Sequence, residues 1–582
     1  QLRLSGVAAH HPRAEALVRL HGHFRRGLPR HLGQHSGGMV ISQHQLDKVV
    51  PLEPATMPDR SVCQWDKDDC EDLGIVKIDF LGLGMMAVLQ ETVECCARRG
   101  DPFVRTLDSI PPDDPETYAK IRAADTVGVF QIESRAQMAT LPRFLPRDLY
   151  DLAMQVAIVR PGPITGNLVH PLIRRRNGTE AVDYIDPSVE SVVRPILERT
   201  KGVILFQEQM LQLAINLAKF TGGEAEELRR AMGFTKSPER LHRSMEKLTH
   251  SLHREGHSEA VVQKVVVATT TFSAYGFPES HAIGFAMLAY FSTWLKVHRP
   301  AAFYASLLNN QPMGFYSPAT LIQDGRRHGL QTNPVCVQRS EWACTVEDDK
   351  TIRLGLRYVK GFAQAAANRL LAARGSGPFS SLEDLLRRTA FTASERRSLA
   401  AIGALQTLVP ERRAALWRVE APWSEDEALF RHLAGDEAAA SPLTAMSPAE
   451  EIQSDFAGLG LTTGSHPMAT LRAQLPDVTR AVDLKNVPAG TRVTIAGSVI
   501  CRQRPGTASG VVFVSLEDET GIANAVLWPD FFERHRLVVT QESALRIAGP
   551  LQNVSGVVHI RAERVEALRV DSLPAQASHD FH

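Results

Sequence analysis

The sequence predicts a multidomain α+β protein, and three observations carry that prediction. The chain has 582 residues, more than one hydrophobic core organises. From residue 85 to residue 310 apolar residues recur at helical spacing over long segments. From residue 488 to residue 570 the pattern changes to short β-rich runs parted by turn residues. Four or five such runs in about eighty residues suit an OB-fold β-barrel.

Composition narrows the class. The chain is 44% hydrophobic, with 65 basic and 65 acidic residues, so its formal net charge is zero. A nucleic-acid binder needs basic faces rather than a basic total, so charge has to be read locally. Seven cysteines, at 63, 70, 95, 96, 336, 344 and 501, form no CxxC pair and no Cys/His cluster at zinc spacing. An odd count without a framework fits a reducing, cytoplasmic compartment. No secretory signal opens the sequence. The longest apolar run, 282–295, is too short and too polar to span a bilayer, so no membrane partner is expected. There is no P-loop, no nucleophile elbow and no metal-ligating His pair, which leaves those chemistries without a motif.

The elements follow in chain order. Residues 1–34 are basic and helical, with Arg25, Arg26 and Arg30 near His21, His23 and His31; alone this is a solvated helix face. In His35–Ser36–Gly37–Gly38–Met39–Val40–Ile41 paired glycines precede an apolar strand, allowing a tight turn or close backbone approach. Ile75 to Leu81 form the next clear strand. Alternation puts Val76, Ile78 and Phe80 on one face, expected to lie on a core, and Ile75, Lys77, Asp79 and Leu81 on the other. A Lys and an Asp two residues apart at a strand end are either a surface ion pair or a metal ligand beside a phosphate contact.

Residues 85–140 read as helices, with 127–134 a short strand turning into a helix N-capped by Ser134. Two prolines and a glycine in 157–163 stop a helix and leave Arg160 facing a loop. An amphipathic helix starting near residue 202 ends around 221–223. Arg229, Arg230 and Lys236 then cluster with no acidic residue between 228 and 238, a density that suits a triphosphate. Glu239, Glu246 and Glu255 interrupt the later cations, which reads as a solvated face. Gly276 and Pro278 break the chain before a helix whose first turn holds Ser280 and His281, where N–H groups favour anions. Val359 to Ala363, with Lys360 and Gly361, lead into a helix over 365–374. Residues 406–480 look like linker. Within the barrel region Arg502, Arg504 and Trp528 offer charge and stacking to a single strand, and Trp528 fits barrel core equally well. Residues 571–582 are expected to be a frayed tail.

Several of these stretches occur together in one known family. Gly74–Ile75–Val76–Lys77–Ile78–Asp79–Phe80–Leu81–Gly82–Leu83, Leu228–Arg229–Arg230–Ala231–Met232–Gly233, Ala274–Tyr275–Gly276–Phe277–Pro278–Glu279–Ser280–His281 and Leu354–Gly355–Leu356–Arg357–Tyr358–Val359–Lys360–Gly361 resemble, in order, segments of the bacterial C-family DNA polymerases. These are the polymerase III α subunits and their error-prone paralogues. Asn309–Asn310–Gln311–Pro312 and Ser465–His466–Pro467 bring the chain nearer the error-prone branch. Departures are local. Ser36 stands where the family usually has Ala, Pro278–Glu279 replace an Asn–Lys, and the usual second hairpin glycine is missing.

The resemblance implies an architecture. It gives the end of a thumb (1–34), the C-terminal part of a palm (35–84), large, mostly helical fingers (85–330), a tandem helix-hairpin-helix region (331–410), a linker or clamp-side segment (411–485), an OB-fold (486–572) and a tail (573–582). It implies template-directed DNA synthesis, error-prone and translesion, by two-metal nucleotidyl transfer. Asp79 would be catalytic and a ligand of one of two Mg²⁺, with Lys77 beside it. Arg160, Arg229, Arg230, Lys236, Ser280 and His281 would meet the triphosphate. Arg25, Arg26, Lys360, Gly361, Arg502, Arg504 and Trp528 would meet DNA. Primer-template DNA and deoxynucleoside triphosphates are the implied partners, with a sliding clamp and mutasome accessory proteins beyond them. Glu427–Ala428–Leu429–Phe430 stands where relatives carry a clamp motif, and alone it is a helix turn with two apolar residues. The family's Asp-x-Asp strand is not found, because the first Asp of this sequence is Asp47. The expectation is an N-terminally truncated polymerase, with a non-catalytic DNA-binding fragment as the alternative.

Overall fold

The computed structural model of the chain describes residues 16, 19, 20, 35, 37–55, 57, 59–80, 82–159, 169–233, 238–273, 277–420, 441–505, 508, 510–554, 556–568 and 578–581. Arg25, Arg26, Arg160, Lys236 and the 427–430 segment lie outside the described residues. The chain divides into two units, Gln1–Leu83 and Gly84–His582.

The first unit holds two ribbons. Gly38–Ile41 pairs antiparallel with Val76–Asp79, setting Gly38 opposite Asp79 and Val40 opposite Lys77. Leu52–Pro54 pairs with Ser61–Cys63. Between them the helix Lys67–Asp72 begins at a reciprocal cap: the Asp69 N–H donates to Asp66 Oδ1 (3.0 Å) and the Asp66 N–H to Asp69 Oδ2 (3.3 Å). The Ile75 N–H then returns to the Cys70 carbonyl (2.8 Å), which aims the next strand. The sequence placed Val76, Ile78 and Phe80 on a core. In the structure they are 57%, 36% and 44% exposed. The correction has a physical reason: a two-stranded ribbon has no second layer of its own to bury a face against.

The second unit is built on a continuous apolar core. The helix Leu83–Arg98 buries Met85, Val88, Leu89, Thr92 and Cys96, one stripe of a 3.6-residue period. Its core continues through Pro115–Arg122, Arg135–Phe144, Leu149–Ile158, the long helix Glu279–His298 and Pro300–Asn309 into Gln364–Gly375 and Leu382–Thr389. Residues 127–134 are turns rather than the expected strand. Gly128 and Gln131 take positive φ, and the Glu133 carboxylate accepts the Gly128 and Phe315 N–H groups at 2.8 and 3.1 Å, while Ser134 caps the following helix as expected. Residues 190–273 form a second core from Glu190–Leu197, Gln207–Ala218, Gly222–Gly233, Pro238–Arg254 and Glu259–Ser273.

The stretch expected to be linker is structured where it is described. Arg412–Glu420 packs on the helical core, and Pro448–Leu459 starts at a Ser447/Glu450 capping box. The buried Arg412–Asp455 pair (2.7 Å) joins the two helices.

The C-terminal strands close on themselves. Arg492–Gln503 pairs with Val512–Glu517, which pairs with Ile522–Leu527. That strand lies parallel to Val557–Arg561, which pairs with Ala544–Val554, and Ala544–Val554 returns to Arg492–Gln503. The helix Pro529–Gln541 connects the third strand to the fourth. This closed five-stranded ring is an OB-fold. The expected frayed tail is corrected in part: His579–Phe581 adds a strand parallel to Cys501–Gln503. The ring is tied to the helical core by Arg327, which donates to the buried Glu517 (3.0 Å).

Candidate active site and nucleic-acid interface

Lys77 and Asp79 share one face of the first unit's ribbon because strand side chains alternate. Gly38 stands opposite Asp79 with Gly37 just before it, and Val40 stands opposite Lys77. A Cβ on Gly38 would lie 2.8 Å from Lys77 Cε and 3.0 Å from His35 Nδ1. One on Gly37 would lie 3.0 Å from the Phe80 carbonyl oxygen and 3.3 Å from Asp79 Oδ1. A side chain at Gly37 would crowd the Asp79 carboxylate, and one at Gly38 would crowd Lys77 and His35. His35 completes the group. Its Nε2 stands 3.3 Å from Asp79 Oδ2, and its Nδ1 accepts the Gly37 N–H at 3.1 Å. The sequence named His35 only as the start of a glycine turn; its spacing two residues before the paired glycines was the available signal.

Asp79 Oδ1 and the Phe80 carbonyl oxygen border a position that a side chain would fill, which fits a hard cation. Elsewhere among the described residues, Asp125, Asp324 and His328 have metal-ligand spacing. The Lys296 ammonium already occupies that group, 2.9 Å from Asp324, 3.5 Å from Asp125 and donating to the Val127 carbonyl at 2.9 Å.

In the second unit the helix Gly222–Gly233 buries Ala225, Leu228 and Met232 and turns Glu226, Arg229 and Arg230 outward. Arg229 donates twice to Glu226 (2.8 and 2.6 Å) and Arg230 once (3.2 Å). Those bonds, Arg229's first, hold the Glu226 carboxyl down to about 2. The cations expected from the sequence therefore face an internal carboxylate one turn upstream. Ser280 and His281 lie in the first turn of Glu279–His298, with the His281 ring 5.0 Å from Phe277 and 4.1 Å from Phe285. The Glu279 N–H donates to the Glu208 carboxylate (2.9 Å), so this helix start already binds an anion from the chain itself.

The DNA-contact expectation for Arg502 is corrected. Arg502 is 9% exposed, and its guanidinium donates to the Val539 and Glu542 carbonyls and pairs with Asp580 at 3.1 Å. It fastens the final strand and is not offered to a template. Lys360 caps the helix Pro448–Leu459: its N–H donates to the Gly458 carbonyl (2.8 Å) and its Nζ to that of Phe456 (3.0 Å). Gly361 beside it is exposed with φ +76°, a conformation that suits glycine. Trp528 is not barrel core: it is 57% exposed at the N-cap of Pro529–Gln541. Arg504 lies over the Phe532 ring (5.3 Å), and Arg504 and Pro529, the residue after Trp528, both border Gly510.

Comparison with known proteins agrees with this layout. Residues 1–82 match the bacterial DNA polymerase III alpha NTPase domain, 85–256 the finger domain of the same subunit, 329–415 a helix-hairpin-helix motif and 493–568 an OB-fold nucleic acid binding domain. This chain belongs to the bacterial DNA polymerase III alpha family. It is 47% identical over 570 residues to the error-prone DNA polymerase of Azoarcus sp. (strain BH72), covering 96% of this chain and 53% of that protein. It is 46% identical over 564 residues to that of Pseudomonas paraeruginosa (strain DSM 24068 / PA7), covering 96% and 54%. Against error-prone DNA polymerase 2 of Agrobacterium fabrum (strain C58 / ATCC 33970) the figures are 44% over 561 residues, 94% and 51%. The chain thus spans about half the length of these polymerase III alpha family relatives. Among the described residues no helix is long and apolar enough to cross a membrane.

Proposed function

We propose that this chain carries the primer-end strand, fingers, hairpin region and OB-fold of a cytoplasmic, error-prone, template-directed DNA polymerase. The observation that carries the reading is the ribbon that keeps Lys77 and Asp79 on one face, with Gly38 opposite Asp79 and Gly37 beside its carboxylate. Asp79 would hold one Mg²⁺ through Oδ1. Together with a second Mg²⁺, that ion would activate a primer hydroxyl and offset charge on the leaving pyrophosphate. Lys77 supplies a positive charge on the same face. Arg229 and Arg230 exchange Glu226 for the triphosphate of the incoming nucleotide, with Lys236 and Arg160 as further cations and Ser280 and His281 as contacts from a second helix. Gly361 offers its backbone to a DNA phosphate, Arg25 and Arg26 meet the duplex, and Trp528 stacks on the template with Arg504 alongside. A sliding clamp and accessory proteins are further partners on the family's pattern.

A second reading has its own support: two-metal chemistry needs more than one carboxylate, and Asp79 supplies one. The chain would then bind DNA and nucleotide without joining them. Primer extension with Mg²⁺, run beside an anisotropy measurement of primed-template binding, separates the two. Nucleotide incorporation that Asp79→Ala abolishes supports the polymerase. Binding without incorporation supports the second reading. No affinity for primed DNA contradicts both.

A further inference from the structure

We infer that His35 is a positioning residue that decides which oxygen of Asp79 receives the divalent cation. The inference rests on Asp79 being a metal ligand and goes beyond it by naming the group that orients the carboxylate. The Gly37 N–H donates to His35 Nδ1 at 3.1 Å. An imidazole nitrogen that accepts carries no proton, so in the neutral ring the hydrogen is on Nε2. Nε2 faces Asp79 Oδ2 at 3.3 Å. Oδ2 is thus the oxygen that the ring hydrogen can reach. The other, Oδ1, lies beside the position that Gly37 leaves without a side chain and that the Phe80 carbonyl oxygen also borders.

The arrangement is closed by backbone pairing. The Phe80 N–H donates to the Gly37 carbonyl at 2.8 Å, so the turn that fixes the His35 tautomer also fixes the strand that carries Asp79. A metal-bound carboxylate with one oxygen on a neighbouring N–H is oriented by that neighbour, and loss of such a partner weakens metal affinity about 10- to 100-fold. Lys77 shares the face, and its charge opposes a cation there. That makes the orientation of Oδ1 more consequential.

The test uses the whole chain and Mn²⁺ alone, with bound ion counted by water-proton relaxation. Wild type should bind one Mn²⁺ that Asp79→Asn does not. His35→Ala should weaken that ion about 10- to 100-fold, and His35→Gln, which keeps an N–H donor, should recover most of it. Gly37→Ala, which leaves His35 in place and fills the space beside Oδ1, should lose the same ion. Equal affinity in His35→Ala and wild type, with the ion lost in Asp79→Asn, overturns the positioning role and leaves Asp79 as ligand. Equal loss in His35→Ala and His35→Gln overturns the donor role. No difference between wild type and Asp79→Asn overturns both. Should His35→Ala fail to fold, retention of the ion by Gly37→Ala decides against the inference.

Discussion

Glu226 is the residue that most changes the account of the nucleotide cations. It holds Arg229 and Arg230 on its own helix, and its carboxyl, held down to about 2, stays ionised across any working pH. Nucleotide binding then competes with an exposed ion pair, worth about 0.2–1 kcal/mol. Glu226→Gln should therefore tighten deoxynucleotide binding up to about fivefold, read from a fluorescent-nucleotide titration. Unchanged or weaker binding would place the triphosphate elsewhere. Trp528 makes a separate prediction. Its indole is 57% exposed, so Trp528→Ala should cost about 1–3 kcal/mol in single-stranded DNA affinity with the OB ring intact.

At the scale of elements, what the sequence disclosed and what it withheld divide by range. The β-rich pattern over 488–570 and the helix after Gly361 were legible, because each depends on neighbours within one element. Arg502 was misread because its partner, Asp580, lies 78 residues on and is visible only once the strands pair. Arg502→Met should leave Asp580 and two carbonyls without their donor and cost about 3 kcal/mol in urea unfolding, without weakening DNA binding by the folded protein. A second long-range pair, Arg299 with Asp101, fastens the turn after Leu83–Arg98 to the junction of the helices Glu279–His298 and Pro300–Asn309. Arg299 holds the Asp101 carboxyl down to about 2, from an ordinary 3.8. A depressed carboxylate stabilises above the unfolded value, and that contribution is lost as pH falls from about 4 to about 2. Asp101→Asn should remove about 2 kcal/mol at neutral pH and flatten acid unfolding over that window.

For the whole molecule, the order of the motifs told more than any one of them. The Asp79 strand alone reads rather as a surface ion pair; its place ahead of fingers, hairpins and an OB ring is what suggests a role. The exposed apolar face of that strand and the Glu226 competition were not legible, since both depend on which surfaces meet. Two proposed roles matter most: Asp79 as a ligand of the catalytic cation, and Arg229 with Arg230 as contacts of the incoming triphosphate. The most direct measurement is the dissociation rate of primed template from the chain, in Mg²⁺, with complementary or mismatched deoxynucleotide. The complementary nucleotide should slow dissociation, and either Asp79→Ala or the double change Arg229→Glu with Arg230→Glu should abolish the effect. Equal slowing by all four nucleotides, or slowing that survives both variants, would contradict them.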